Sequence, residues 1–314
     1  MKQKKVSKKR KWWLIIVGIL AAIVIAIAGV GAVVYFQLSH SIQQTYESAE
    51  RTKESVAATR KNEVDIKSQE PFSILLMGVD TGELGRTEQG RSDAMMVATV
   101  NPTEEKTTIV SIPRDTYVEI VGKGTQDKIN HAYAFGGAGM AMDTVQNYLE
   151  VPIDHYAVIN MEGIEQLVDA VGGIEVANEQ EFENLGHTYA YGQITLTSEN
   201  VLGYINMRYD DPKGDYGRQA RQRQVIQAIA DQLLSFEGVT KYQEVLDTME
   251  ENFKTDMTFD EMQTIALDYR EAFTTIKTDQ LQGAGFMQDG VSYQKVDAEE
   301  LARVQDELNE QLNQ

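Results

Sequence analysis

The chain has 314 residues with a formal charge of −19, 42% hydrophobic residues and no cysteine. The missing cysteines exclude a disulfide framework, thiolate catalysis and cysteine-ligated zinc or iron–sulfur centres. So strong a negative charge argues against DNA or RNA as partner, because nucleic-acid binding relies on neutralising phosphates.

The charge is unevenly spread. Residues 2–11 carry seven cations and no anion, and Trp12 to Phe36 then runs 25 residues without a charge. As a helix that run would span roughly 37 Å, enough to cross a hydrocarbon core of about 30 Å. It is too long for the apolar core of a cleavable signal peptide, and Tyr35-Phe36-Gln37-Leu38 makes a poor cleavage site. The expectation is a single transmembrane anchor (12–36), a cytoplasmic basic tail (1–11) and everything later outside the bacterial cell membrane. Beyond residue 36 the chain holds 22 Lys and Arg against 48 Asp and Glu.

Residues 37–70 read as a polar helical stalk. Ile42, Tyr46, Ala49, Lys53 and Val56 have heptad-like spacing, and Glu47–Arg51 is an i,i+4 pair. Dimerisation through this stalk stays an open reading, because its seam is short and Lys53 interrupts it.

The fold proper is expected at 71–240. Ile74–Met77 reads as a buried strand ending at Asp80, Ala94–Val100 as a second and Thr107–Ile112 as a third, paired antiparallel across the turn Asn101–Lys106. Helices are predicted at Gly139–Leu149, Met161–Val171, Thr197–Met207 and Arg218–Leu234. Further strands are predicted at His155–Asn160, Ile174–Val176 and Gln193–Leu196. This mixture specifies an α/β (α+β) fold, a mixed central sheet flanked by helices. Residues 241–314 read as a helical appendage packed on that domain, with helices at Lys241–Phe253 and Thr258–Phe273, a short strand pair within Leu281–Val296 and an end helix over 298–314.

Two charged clusters stand out. If the second strand runs antiparallel to both neighbours, Asp80, Arg91, Asp93 and Arg114 arrive at one sheet edge, the usual ligand position in an open α/β sheet. Two carboxylates so placed suit Mg²⁺ or Mn²⁺, and the arginines suit phosphate. Taken singly, Arg91–Asp93 and Arg114–Asp115 are ordinary strand-end ion pairs; their convergence favours a site.

The second cluster is Arg208–Arg223, RYDDPKGDYGRQARQR, with five cations and three aspartates. Arg218 and Arg221 occupy the first turns of a predicted helix, where cations oppose the macrodipole unless an anion docks there. Arg221, Val225, Ile229 and Leu233 form one row, and Arg223 reads as ordinary surface. His131 reads as structural. No GxxxxGK[ST], GxGxxG after a strand, or GxSxG is present, so nucleotide folds and the commonest serine-hydrolase signature are unsupported.

The segments LLMGVD (75–80), RSDAMMVATVNP (91–102), SIPRDTYV (111–118), KINHAYAFGG (128–137), VPIDHYAVINMEGIEQLVDAVGGIEV (151–176) and RYDDPKGDYGRQARQR (208–223) resemble the LytR-CpsA-Psr family in order and spacing. The resemblance covers roughly Phe72–Ile229. It implies an extracytoplasmic phosphotransferase that takes an anionic glycopolymer, wall teichoic acid or capsular polysaccharide, from an undecaprenyl-pyrophosphate carrier in the membrane lipid. The acceptor it implies is the C6 hydroxyl of muramic acid in peptidoglycan. It places the metal on Asp80 and Asp93, and the pyrophosphate on Arg91, Arg114, Arg208, Arg218 and Arg221. It further implies a long apolar tunnel for the polyprenyl tail. Asn206 departs from the pattern, standing where family members often carry arginine.

In this reading Mg²⁺ on the two aspartates bridges the pyrophosphate, arginines neutralise its oxygens, and Asp93 or Asp115 takes the hydroxyl proton. Asp93, Arg114, Arg208 and Arg218 are the expected catalytic set. The alternatives are a polyprenyl pyrophosphatase using the same residues, and a non-catalytic envelope regulator or cell-wall binding module.

Overall fold

The computed structural model describes residues 44–52, 60, 62–80, 90–233 and 252–312. The predicted tail and anchor, part of the stalk and residues 241–251 of a predicted helix lie outside them. Among the described residues no helix is long and apolar enough to cross a membrane.

The strands are β1 (Phe72–Val79), β2 (Ser92–Asn101), β3 (Lys106–Ser111), β4 (Tyr117–Ile120), β5 (Thr125–Lys128), β6 (His155–Asn160), β7 (Ile174–Asn178), β8 (Phe182–Asn184), β9 (His187–Tyr189), β10 (Gly192–Leu196), β11 (Phe253–Thr255), β12 (Ile276–Gln280), β13 (Ala284–Gln288) and β14 (Val291–Lys295). The helices are α1 (His131–Leu149), α2 (Met161–Ala170), α3 (Val201–Asn206), α4 (Asp215–Leu233), α5 (Phe259–Asp268) and α6 (Ala298–Gln311).

Six strands form the central sheet in the order β11-β6-β1-β2-β3-β12. β2 runs antiparallel to β3, as the turn between them predicted, and also to β1, which meets the condition for the charged edge. β6 lies parallel to β1 and β12 parallel to β3, while β11 is antiparallel to β6. The near-continuous apolar runs of β1 and β2 follow from burial on both faces. Leu75, Met77, Val79, Met95, Val97, Val110 and Ile112 pack with Met142, Val145 and Leu149 of α1 and with Val304 and Leu308 of α6. On the opposite face Met96, Ala98 and Ile109 meet Leu76, Ile226 of α4 and Ile276 of β12. Each such side chain contributes about 1.5–3 kcal/mol when fully buried.

Four readings change. The residues beyond 240, expected as an appendage, supply β11 and β12, the two outer strands of the same sheet. Phe253, predicted to end a helix, starts β11. α3 begins four residues later than predicted, at Val201. α1 starts upstream at His131 and kinks at Gly136 and Gly137, the latter at φ +65°, a conformation glycine adopts without the steric penalty of a Cβ.

The described part of the stalk does not stand off from the domain. A Cβ on Gly139 would lie 2.1 Å from the Glu50 carbonyl oxygen, so the incoming chain touches the α1 backbone there. Arg51 binds Asp143 at 2.6 Å and the Ile153 carbonyl at 2.8 Å. Glu47 pairs with Lys254 at 2.5 Å, so the tertiary partners of Glu47 and Arg51 replace the expected i,i+4 pair.

Candidate active site

The antiparallel placement of β2 brings the end of β1, the start of β2 and the turn after β3 to one edge. Asp80 follows β1; its Oδ1 accepts the Arg91 backbone N–H at 2.6 Å, and its own N–H donates to the Arg91 carbonyl at 3.2 Å. Asp80 is 8% exposed. The register then slips: Gly78 faces Ala94 but Val79 faces Ser92, which leaves Asp93 as the extra residue of a β-bulge. A bulge re-aims one side chain out of the alternation, and Asp93 is the one re-aimed.

Arg114 reaches Asp93 from the turn after β3. Thr116 fixes that turn by donating its N–H and its hydroxyl to the Pro113 carbonyl at 3.0 and 2.6 Å. Arg114 Nη1 lies 2.6 Å from Asp93 Oδ1. Arg218, near the start of α4, donates from Nη1 to the Asp93 carbonyl at 3.0 Å. Its Nε and Nη2 both meet Asp215 Oδ1, at 2.9 and 2.8 Å. Asp115 holds Lys128 at 2.6 Å.

Burial works against the charge on Arg114, but Asp93, joined by Asp215 and Asp115, outweighs it and the guanidinium pKa rises. For Arg218 burial prevails, helped by repulsion from Arg114, and its pKa falls despite Asp215. Two mutually repelling guanidinium groups share this edge, and an anion bound between them would relieve that repulsion.

The predicted residues do not all converge. Asp80, Asp93, Arg114 and Arg218 share the edge, and Arg91 joins through its backbone with an exposed side chain. Arg208 lies over the Tyr209 ring, 4.7 Å from its centroid. Arg221 is directed elsewhere: it pairs with Asp211 at 2.7 Å and donates to the carbonyls of Tyr204 and Met207, so it braces the loop between α3 and α4. Arg223, expected at the surface, instead ties α4 to the sheet through Ser111 Oγ at 2.7 Å and Gln280 Oε1 at 3.0 Å. Of the predicted helical row, Arg221, Val225 and Ile229 are buried, and the Leu233 side chain lies outside those described. His131 accepts its structural role, 2.8 Å from Asp127. Asn206 ends α3, half-buried.

Sequence reasoning missed Asp215 and Lys128. Asp215 was detectable: it stands three residues before Arg218, the spacing at which helical side chains meet.

Beside the charged edge opens an apolar cavity of ≈ 280 Å³. Gly78, Ala94 and Met96 of the sheet, Ile164 and Leu167 of α2, and Val225 and Ile226 of α4 line it. Gly78 and Ala94 lie within two residues of Asp80 and Asp93, so the cavity adjoins the charged cluster. An apolar hollow beside paired carboxylates and arginines fits a lipid with an anionic headgroup.

The LytR_cpsA_psr family matches residues 39–310. The chain belongs to this family. A teichoic acid relative in the family, the polyisoprenyl-teichoic acid–peptidoglycan teichoic acid transferase TagU of Enterococcus faecalis, is 56% identical over 98% of this chain and 99% of its own length. A solved structure from Enterococcus faecalis, described as a transcriptional regulator, is 48% identical with a TM-score of 0.72, covering 80% of this chain and 90% of that one. A structure of TagT bound to LIIa-WTA is 28% identical with a TM-score of 0.70, covering 85% of this chain and 100% of that one. The mixed sheet with flanking helices is therefore the LytR_cpsA_psr fold.

The donor set at the edge fits a hard divalent cation. Asp80 and Asp93 offer carboxylate oxygens, and Mg²⁺ is ordinarily held by one or two carboxylates together with water and substrate phosphates. Among the described residues no group of three or more His, Asp or Glu forms a metal cage. The remaining ligand positions suit water and substrate phosphate oxygens.

Proposed function

We propose that this protein is an extracytoplasmic phosphotransferase of the LytR_cpsA_psr family. It moves an anionic glycopolymer, with wall teichoic acid favoured by the names of its relatives, from undecaprenyl pyrophosphate to the C6 hydroxyl of muramic acid in peptidoglycan. The observation that carries the reading is the Asp93–Arg114–Arg218 cluster beside an apolar cavity, which matches a diphosphate on a polyprenyl chain. The cationic tail and the uncharged run at 12–36 support a single-pass anchor with the catalytic domain outside the cell.

Asp80 and Asp93 would hold Mg²⁺ or Mn²⁺, which would supply Lewis-acid neutralisation of the phosphate oxygens. Arg114 and Arg218 provide fixed positive charge where negative charge builds as the muramic hydroxyl attacks the sugar-side phosphorus and the lipid phosphate leaves. Their orientation by Asp93 and Asp215 removes reorganisation from the reaction. Asp93 or Asp115 accepts the hydroxyl proton. The cavity keeps the polyprenyl tail out of water and fixes which end of the diphosphate faces the acceptor.

The test is transfer of polymer from a lipid-linked donor to peptidoglycan by wild type and Arg114→Ala. Losing charge-assisted hydrogen bonds worth about 1.5–3 kcal/mol each predicts at least a tenfold fall in kcat/KM. Wild-type transfer by Arg114→Ala would sink the proposal. Release of free phosphorylated polymer, equal with and without peptidoglycan, would identify a pyrophosphatase instead.

A further inference from the structure

The hairpin β13–β14 is a two-stranded sheet of its own, and such hairpins are marginal alone in water. Its described side chains are exposed except for Phe286, Tyr293 and Gln294. Two anchors fix it against the active site. Gln294 N–H donates to the Asp115 carbonyl at 2.9 Å, next to Arg114. Tyr216, between Asp215 and Arg218 on α4, binds the Gly283 carbonyl at 3.0 Å and Gln294 Oε1 at 3.1 Å. Both anchors therefore come from immediate neighbours of the charged cluster.

Phe286 and Tyr293 are cross-strand partners, so both rings project from one face. Their centroids are 5.6 Å apart, and Tyr117 of β4 meets them at 5.6 and 4.8 Å. All three rings are half-exposed. Lys128 lies 5.7 Å over Tyr293, but Asp115 already neutralises it at 2.6 Å. The face is thus aromatic, anchored beside the charged cluster and without surplus positive charge. An anionic polymer gains little from such a surface. A sugar backbone, whose rings carry C–H-rich faces and outward hydroxyls, suits half-exposed aromatic rings with polar tips.

We propose that Tyr117, Phe286 and Tyr293 form the surface on which the acceptor glycan strand lies. This rests on the transferase reading above and assigns the acceptor's side of that site. The strand's amino-sugar rings pack against the near-parallel Phe286 and Tyr293 rings, with Tyr117 standing edge-on beside them, and the hydroxyl to be modified then faces Arg114.

The experiment uses full-length protein in nanodiscs and peptide-free peptidoglycan glycan strands as the probe. In the Phe286→Ala/Tyr293→Ala variant the glycan Kd and the acceptor KM should rise about tenfold, with affinity for the lipid-linked donor unchanged. Tyr293→Phe, which keeps the ring, and Met287→Ala, on the opposite hairpin face, should bind within twofold of wild type. Unchanged glycan affinity in the double variant overturns the assignment, as does a parallel loss of donor affinity, which would place the polymer on this face. Absence of glycan binding by wild type overturns it too. Glycan bound through this face without any polymer transfer would remove the transferase reading and leave the surface standing.

Discussion

Asp215 holds Arg218 from one turn earlier in the same helix, with Arg218 Nη2 2.8 Å and Nε 2.9 Å from Asp215 Oδ1. The side chains are 13% and 5% exposed, so Arg218 is presented to the charged edge by a partner that water hardly reaches. Burial alone would raise the Asp215 pKa; the Arg218 charge, the Gln219 hydrogen bond and Arg114 together hold it below the usual carboxylate value.

A depressed native pKa means that this carboxylate stabilises the fold above its unfolded pKa of about 3.9, and that the contribution is lost as pH falls through the lower native value. Asp215→Asn should therefore be less stable than wild type at pH 7 by about 1.5–3 kcal/mol, the range for a hydrogen bond to a charged group. Urea melts from pH 7 to pH 2.5 should show that gap held down to about pH 4 and closing below. A gap independent of pH would show that Asp215 acts only as a hydrogen-bond acceptor.

The cavity predicts a dependence on tail length. Ile164→Trp places extra volume in a space lined by Ile164, Leu167 and Val225. The KM for a donor with a full polyprenyl tail should rise about tenfold, while a donor with a two-isoprene tail stays within twofold. Steady-state kinetics with both donors decide it; equal effects would detach the cavity from the tail.

His155 makes the opposite prediction about pH. It begins β6 at the sheet edge away from the site, 9% exposed, with Nδ1 3.4 Å from Asp256 Oδ1. Burial would lower its pKa, yet Asp256, with Glu261 and Asp154 beyond, raises it above the ordinary value. The imidazolium therefore stabilises the fold below its unfolded pKa of about 6.5 and ceases to as pH climbs through the raised native value. His155→Gln should lose more stability at pH 5.5 than at pH 9 in thermal melts. Equal losses would mean that His155 contributes through packing against Phe72 rather than through charge.

Much of this architecture was legible because local signals were strong. The apolar runs at 74–77, 94–100 and 107–112 became neighbouring strands, and the turn at 101–106 fixed the antiparallel sense of the second and third. Once the first also paired antiparallel with the second, Asp80, Asp93 and Arg114 had to meet. The readings that failed lacked a local signal. β11 and β12 are three and five residues long, and they are strands only because the open edges of β6 and β3 are there to pair with them. The Glu47–Arg51 pair looked helical in sequence, but Lys254 and Asp143, about 200 and 90 positions away, took both charges.

Chain order and residue type by themselves determined the mixed sheet, the sign and place of the charged edge and the family, because strand patterning, turns and motif spacing are local properties. Tertiary structure alone decided which arginine faces that edge. Arg218 and Arg221 are three residues apart on one helix, yet a bulged strand receives the first and the Asp211 loop takes the second, since the direction of a helical side chain has meaning only once its neighbours are in place.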